Sequence, residues 1–220
     1  MSLLLLLGSS STATVNRFAR FNGTTDYATV PAFAYPTSEG TALIRCRAVS
    51  ASPAAGKAGL MEMSPGGSTS HYPFNDGFAY NSSFRATRVN GITLSGSVDR
   101  TAWHWVIVRT NAGSGWEMLQ ASDAGVLYSV ATAAHEAFSS SGQQIGTSNG
   151  SSLWEGDIDR FLLFSSRLND AAIQAIIAGG NGTSPLVLYE FSSDDGDVFA
   201  DSSGNNRHAT ISGSPTIIAA

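Results

Sequence analysis

The sequence predicts an all-β protein, built as one large domain or two small ones, and its composition is the first reason. Charged residues make up 13% of the 220 residues, against about 25% in an average soluble domain. Ser, Thr, Asn and 23 glycines supply the polarity instead, and apolar residues, at 42%, are enough for a sizeable core. Segments with strand periodicity also recur along the chain, separated by Gly, Asn, Asp and Ser. Short strands joined by tight turns fit both observations.

Two segments carry the clearest strand patterns. In TALIRCRAV, residues 41–49, small and apolar side chains alternate with Arg45 and Arg47, which is typical of a half-buried strand. In WHWVIVR, residues 103–109, both alternating faces are apolar, so this strand is predicted to lie in the centre of a sheet. Further strands are predicted in GLMEMS, FRATRV, ITLSG, GWEMLQAS, VLYSVA, RFLLFSS and LVLYEF.

One short helix is predicted near residues 170–178, in SRLNDAAIQAIIAGGNG. Asn169 or Asp170 would be its N-cap, and Gly179 with Gly180 its C-cap. Three isoleucines follow the spacing of one helix face: Ile173, Ile176 and Ile177. We expect this helix to lie on the edge of a sheet.

Charge and cysteine content exclude several classes of function. The net charge is −5, which argues against a nucleic-acid binder, because phosphate contacts need a basic face. The single cysteine, Cys46, allows neither an internal disulfide nor a cysteine-based zinc site. No apolar stretch approaches the roughly 20 residues that a membrane-spanning helix needs.

The chain begins MSLLLLLGSSST, a short apolar run followed by a polar string. The run has no preceding positive charge and is too short for a secretory signal, so we interpret residues 1–12 as an apolar arm. Burial of each leucine is worth roughly 1.5–3 kcal/mol. We therefore expect this arm to make assembly contacts through Leu3, Leu4, Leu5, Leu6 and Leu7. The alternative is that the arm adds an edge strand to its own domain.

Four segments carry a resemblance to a known family. ARFNGTTDYATVP resembles the opening strand pair of laminin-G-like modules in the concanavalin A-like lectin/glucanase superfamily. The segments WHWVIVRTNAGSGWEMLQASDAGVL and QIGTSNGSSLWEGDIDRFLLFSSRLNDAAIQAI resemble its central and late strands. LVLYEFSSDDGDVFADSSGNNRHATISGSP resembles a stretch that usually precedes the module, although here it follows the helix. The resemblance implies two antiparallel sheets packed as a jelly-roll sandwich, with residues 13–220 as a single domain.

The sharpest catalytic candidate is WEGDIDRF, which places Glu155, Asp157 and Asp159 on one face of a strand. Glucanases of the same superfamily use a Glu-x-Asp-x-Glu strand, and retaining hydrolysis needs two carboxyl groups about 5–5.5 Å apart. In this sequence an aspartate stands where the acid glutamate would be, one methylene too short. The resemblance to laminin-G-like modules implies the alternative that Asp159, the aspartate of the Gly-x-Ile-Asp stretch, is structural, shares a strand face with Phe161 and Leu163, and ties a loop or an ion. We expect no catalytic residue.

Calcium is the next candidate, because it takes six to eight oxygen ligands and the late segment SSDDGDVFADSSGN is rich in them. The candidate calcium ligands are Asp159 and Asp201. The alternative is a solvated acidic turn in which Asp201 and Ser202 cap the Ser-Gly-Asn turn through side-chain to backbone hydrogen bonds. No other cofactor is predicted.

A sugar site is implied by the family and would combine aromatic faces with amide and carboxylate groups. The segment HYPFNDGFAYNSSFR is dense in such residues, and the alternative is a hairpin whose aromatic side chains pack the core. The candidate carbohydrate-binding residues are Tyr72, Asn75, Asp76 and Tyr80.

These observations favour a non-catalytic structural or decoration protein of a virion, of the kind found in bacteriophages. Its partners would be other virion proteins or further copies of the chain, and it would reach its place without an export signal. The first alternative is a carbohydrate-binding module for glycans of a host surface. The second is an endoglucanase that uses Glu155, Asp157 and Asp159.

Overall fold

The protein is an all-β antiparallel sandwich, as the sequence predicts. A computed structural model describes residues 17–34, 39–49, 60–62, 84–89, 92–96, 99, 101–111, 115–125, 127–133, 143–148, 152–194 and 197–219. The apolar arm lies outside these residues, so the division into residues 1–12 and 13–220 stays a prediction. Within the described part, no helix is long and apolar enough to cross a membrane.

The described strands follow one another along the chain, with one helix after the thirteenth. They are β1 Arg17–Asn22, β2 Tyr27–Thr29, β3 Glu39–Ala48, β4 Met61–Glu62, β5 Phe84–Val89, β6 Ile92–Gly96, β7 His104–Asn111, β8 Gly115–Ser122, β9 Leu127–Ala133, β10 Gln144–Ile145, β11 Thr147–Ser148, β12 Ser152–Leu153, β13 Glu155–Phe164, α1 Asp170–Ile177, β14 Val187–Asp194, β15 Val198–Asp201, β16 Ala209–Ser212 and β17 Thr216–Ala219.

Most of these strands belong to a single antiparallel sheet that curls over into two layers. Its order is β4-β10-β2-β16-β15-β14-β13-β3-β7-β8-β9. The strand β13 pairs with β3 along its length, with β1 over its first half and with β14 over its second half. The strand β1 also pairs with β17, so that Arg17 lies opposite Ala219.

The main core lies between the two layers. On β3, Ala42, Ile44, Cys46 and Ala48 point into it, which confirms the alternation predicted for this strand. They meet apolar side chains of β2, β15 and β16 from the other layer: Ala28, Phe199 and Ala209. Aromatic rings fill its centre, where Phe191 packs edge-on against Phe199 at 4.6 Å between ring centroids. The side chains of β3 between these positions must therefore face outward.

The outward face of β3, β7, β8 and β13 carries a second apolar cluster, and α1 covers it. Trp105 and Ile107 of β7 belong to this cluster, so the central strand with two apolar faces is confirmed. The helix contributes Ile173 and Ile176 from its buried stripe. The predicted position at the edge of the sheet is wrong, because the apolar side chains of central strands need a cover.

The ends of α1 follow the predicted capping chemistry. Asn169 is the N-cap, and its side-chain oxygen accepts a 2.9 Å hydrogen bond from the backbone N–H of Ala172. Ala178 is the C-cap, one residue before the predicted glycines. Gly179 follows with φ +104°, a conformation that residues with a Cβ rarely adopt, which explains the glycine just past the helix.

Candidate functional site

Asp157 on β13 lies at the centre of a charged cluster on the outward face of the sheet. It sits opposite Arg20 on one neighbouring strand and opposite Arg47 on the other. Arg20 donates from Nε and Nη2 to the two carboxylate oxygens at 2.7 and 2.9 Å, and Arg47 donates from Nε to Oδ2 at 2.8 Å. Only 1% of the Asp157 side chain is exposed. A buried carboxylate is thus held by two arginines that reach it from opposite sides.

Asp159 lies two residues further along β13, where the pairing with β3 shifts register. Arg45 donates hydrogen bonds to both Asp159 and Asp123. The Oδ1 atom of Asp159 is buried and has no hydrogen-bond partner among the described residues. Burial raises the pKa of Asp159 to about 6, against the opposing effect of Arg45.

Trp103, just before β7, completes this cluster. The guanidinium carbons of Arg45 and Arg47 lie 4.6 and 4.7 Å from the centroid of its ring, within the range of cation–π contacts. Arg47 also lies 5.0 Å from the ring of Phe18, which meets Trp103 edge-on at 5.4 Å. We call this group the arginine–tryptophan cluster: Phe18, Arg20, Arg45, Arg47, Trp103, Asp123, Asp157 and Asp159.

Of the three predicted carboxylates, Glu155 and Asp157 lie on one side of β13, and Asp159 lies at the register shift that follows them. Both oxygens of Asp157 accept hydrogen bonds from arginines, and Asp159 is held by Arg45. Glu155, the third member, is half-buried and has an interaction of its own. A glycosidase needs one carboxyl group free to donate a proton and a second free to attack or activate water. Asp157, bonded through both oxygens, fits a structural role instead, whereas Asp159 keeps one oxygen without a partner among the described residues.

Asp201 fixes the turn after β15. Its Oδ1 accepts hydrogen bonds from the backbone N–H groups of Leu188 and Ser203, at 3.0 and 2.9 Å. Its Oδ2 accepts from the Ser203 hydroxyl and from the backbone N–H of Arg207, both at 2.9 Å. Burial raises the pKa of Asp201, but these hydrogen bonds outweigh it and hold the pKa below its ordinary value.

The hydrogen bonds of Asp201 and Asp159 weigh against calcium at these residues, and the calcium site stays a prediction. Four donors fill the roughly four lone-pair positions of the Asp201 carboxylate, so none is left to ligate a cation. Asp159 lies against the Arg45 guanidinium, which also pairs with the carboxylate of Asp123. Among the described residues, no group of three or more His, Cys, Asp or Glu side chains is placed to hold a metal ion.

Two sets of predicted residues lie outside the described residues. The first is the proposed sugar site, Tyr72, Asn75, Asp76 and Tyr80, and the second is the apolar run Leu3–Leu7. Both stay predictions.

Sequence reasoning missed the partners of the carboxylates. The outward direction of Arg45 and Arg47 follows from the alternation of β3, and this signal was visible in the sequence. Their pairing with β13, more than 100 residues later, depends on strand register, as does the approach of Arg20 from β1. The sequence predicts Trp103 as part of an apolar strand, and nothing local indicates that it lies against two arginines.

Comparison with known proteins identifies the fold and no family. No family model matches the chain, and no curated protein matches it by sequence. Among solved structures, a candidate carbohydrate-binding protein of Bacteroides ovatus is similar with a TM-score of 0.67 at 13% identity. The match covers 94% of this chain, which spans 60% of the length of the Bacteroides protein.

Two further solved structures are similar. A heptameric SAP-like pentraxin of Limulus polyphemus has a TM-score of 0.52 at 14% identity, covering 90% of this chain and 95% of the pentraxin. Domain 4 of an extracellular family 43 arabinanase of Geobacillus stearothermophilus, solved with arabinotriose, reaches 0.46 at 11% identity, covering 73% and 76% of the two chains. At these identities the first two matches show the fold, an antiparallel β-sandwich of the concanavalin-like, jelly-roll type.

Proposed function

We propose that this chain is a non-catalytic carbohydrate-binding module and that the arginine–tryptophan cluster contacts the sugar. The observation that carries the proposal is Trp103, a partly exposed indole held in place by two guanidinium groups on the outward face of the sheet. The similar fold of the candidate carbohydrate-binding protein of Bacteroides ovatus supports it.

The chemistry of the cluster suits a sugar. A pyranose ring presents an apolar face of C–H groups, which packs on an aromatic ring, and a rim of hydroxyl groups, which accept and donate hydrogen bonds. Ligand sites commonly combine aromatic side chains with a few fixed polar groups in this way. Here the ring is Trp103, and the fixed polar groups are the guanidinium groups of Arg20 and Arg47, whose side chains are 44% and 32% exposed.

The absence of catalysis is part of the proposal. Asp157 is buried and bonded through both oxygens, so it cannot approach a glycosidic bond without breaking contacts with two arginines. Hydrolysis at this surface would require a free acid next to it. Sugar release that disappears in Glu155→Gln would contradict this part of the proposal.

The place in a virion that the sequence favoured also stays a proposal, as does the laminin-G-like subtype of the fold. None of the three similar structures described above is a virion protein by its description. The virion proposal depends on the Leu3–Leu7 arm. Light scattering on the full chain and on a version without residues 2–12 tests it. If residues 2–12 form an assembly arm, only the full chain should associate.

A binding screen against soluble and insoluble polysaccharides tests the sugar proposal, using the full chain and Trp103→Ala. We expect at least one polysaccharide to bind the full chain and to lose roughly tenfold or more in affinity with Trp103→Ala. Phe33→Ala is the matched control, because Arg207 lies 4.0 Å above the Phe33 ring in a similar contact outside the cluster. Failure of every polysaccharide to bind, or equal losses in both variants, would overturn the proposal.

A further inference from the structure

One carboxylate, Asp157, is shared by two arginines, Arg20 and Arg47, and both arginines are far more exposed to solvent than the carboxylate. One carboxylate, almost completely buried, neutralises one of two guanidinium groups. The arginine side chains remain 44% and 32% exposed. Asp157, Arg20 and Arg47 taken by themselves carry a net charge of +1, whereas the whole arginine–tryptophan cluster, with three arginines and three aspartates, is formally neutral.

Both guanidinium groups keep donors that no described residue accepts. Arg20 uses Nε and Nη2 for Asp157, which leaves Nη1. Arg47 uses only Nε, which leaves Nη1 and Nη2, the edge of the fork that suits a planar anion. The donors of Arg45, in contrast, are taken up by Asp123 and Asp159.

Arg47 is also fixed in position before any ligand arrives. Its guanidinium carbon lies 4.7 Å from the ring centroid of Trp103 and 5.0 Å from that of Phe18, and its Nε is bonded to a buried carboxylate. A long side chain held at three points has little rotamer freedom left to lose when it binds, so more of the interaction free energy is retained.

Three neighbouring carboxylates oppose an anion at this place: Asp123 and Asp159, which both pair with Arg45, and Glu155. Glu155 lies on the same side of β13 as Asp157, two residues before it. It is half-buried and already engaged in an interaction of its own. The free Nη edge of Arg47 lies beside the rings of Trp103 and Phe18, which carry no charge.

We infer that Arg47 and Arg20 bind the acidic group of a charged sugar, and that the ligand is a glycan carrying carboxylate groups, such as a uronic acid. The inference rests on the proposed sugar-binding function and adds the class of sugar. A planar carboxylate matches the two Nη donors of Arg47, and the rings of Trp103 and Phe18 lie next to this guanidinium. A sulfate ester offers similar oxygens, so the experiment includes both sources of negative charge.

Titration calorimetry with paired oligosaccharides tests this inference on the full chain. The probes are oligosaccharides of galacturonate, glucuronate and mannuronate, the same oligosaccharides as methyl esters, and a sulfated galactan oligosaccharide. The ester removes the charge and leaves the sugar backbone intact. We expect at least one acid to bind roughly tenfold or more tightly than its ester, as for a charge-assisted hydrogen bond, and its affinity to fall as salt rises.

Three variants assign the effect to the arginines. Arg47→Gln should lose most of the preference for the acid over its ester, and Arg47→Lys should retain only part of it, because a lysine keeps the charge without the fork. In both variants Asp157 keeps its two hydrogen bonds from Arg20, and thermal unfolding checks that the fold is intact. Arg167→Gln is the matched control, since Arg167 pairs with Glu117 outside the cluster.

The outcomes separate this inference from the proposed function. Equal binding of acid and ester retains a sugar module and overturns the inference, as does binding of the sulfated probe alone. Binding of no sugar at all overturns both. A preference for the acid that Arg47→Gln removes and Arg167→Gln leaves unchanged supports both.

Discussion

The outward face of the sheet has two halves that differ in how they are covered. In one half, Leu43, Trp105 and Ile107 lie under α1 and are almost fully buried. In the other half, Arg45 and Arg47 occupy the next outward positions of the same strand β3, and no helix of the described chain covers them. One strand thus passes from a covered apolar surface to an open charged surface within three residues.

The difference shows what determines whether a sheet face is closed or open. Apolar side chains on the second face of a central strand leave surface in water unless another element covers them, and α1 provides that cover. Asp157 pairs with its arginines across strands, and the arginines stay in contact with water, so this half has no apolar surface that needs a cover. Among the described residues, the half that carries the arginine–tryptophan cluster is thus the one without an apolar cover.

The largest expected effect is on the covered half. Ile176→Ala should lower the free energy of unfolding by about 3 kcal/mol, because the side chain is fully buried between helix and sheet. Ile177→Ala, one residue along and only partly buried, should cost clearly less. Chemical denaturation of both variants measures the difference, and equal losses would show that α1 does not seal this half.

A smaller loss is expected in the open half. Asp157→Ala should cost roughly 2–3 kcal/mol, because it leaves two arginines without their shared counter-ion, although both can turn toward water. Asp123→Ala is the matched control, since its side chain is 43% exposed and a surface ion pair is worth about 1 kcal/mol or less. A loss for Asp157→Ala no larger than that of the control would mean that the cluster does not stabilise the sheet.

The smallest effect is a dependence on pH that originates at Asp159. Because its pKa in the folded protein is about 6, above the ordinary value of 3.8, its protonated form is favoured by folding. The stability that this proton contributes is complete below about pH 4 and is lost as the pH rises through about 6. Between about pH 4.5 and about pH 7.5, wild type should lose up to about 2 kcal/mol more than Asp159→Asn. Denaturation curves of both proteins at both pH values measure this difference. Equal losses of stability in wild type and in Asp159→Asn would contradict the raised pKa.

The sequence predicts the local structure well and the cluster poorly, for a physical reason. Alternation in β3 and the two apolar faces of β7 are properties of a few consecutive residues, and both predictions are confirmed. The contacts of Asp157 join residues that are 137 and 110 positions apart, and they exist only in one register of three strands. A shift of one residue would turn Arg47 into the core, so no local pattern could reveal the pair.

The predicted carboxylate spacing shows the same limit. Alternate positions place Glu155 and Asp157 on one side of β13, as expected from strand geometry. The register shift between Ile158 and Arg160 is not visible in the sequence, and it sets Asp159 apart from its neighbours. Arg45 bonds Oδ2 of Asp159, and the buried Oδ1 is left without a hydrogen-bond partner among the described residues.

The pairing of β1 with β17 has a consequence for how this fold can be connected to other chains. Because Arg17 lies opposite Ala219, the two ends of the described fold are neighbours, about 5 Å apart between Cα atoms. The segments that lie outside this pair, residues 1–16 and 220, are therefore attached to the fold at neighbouring positions. Any chain fused on either side would leave from the same edge of the sheet.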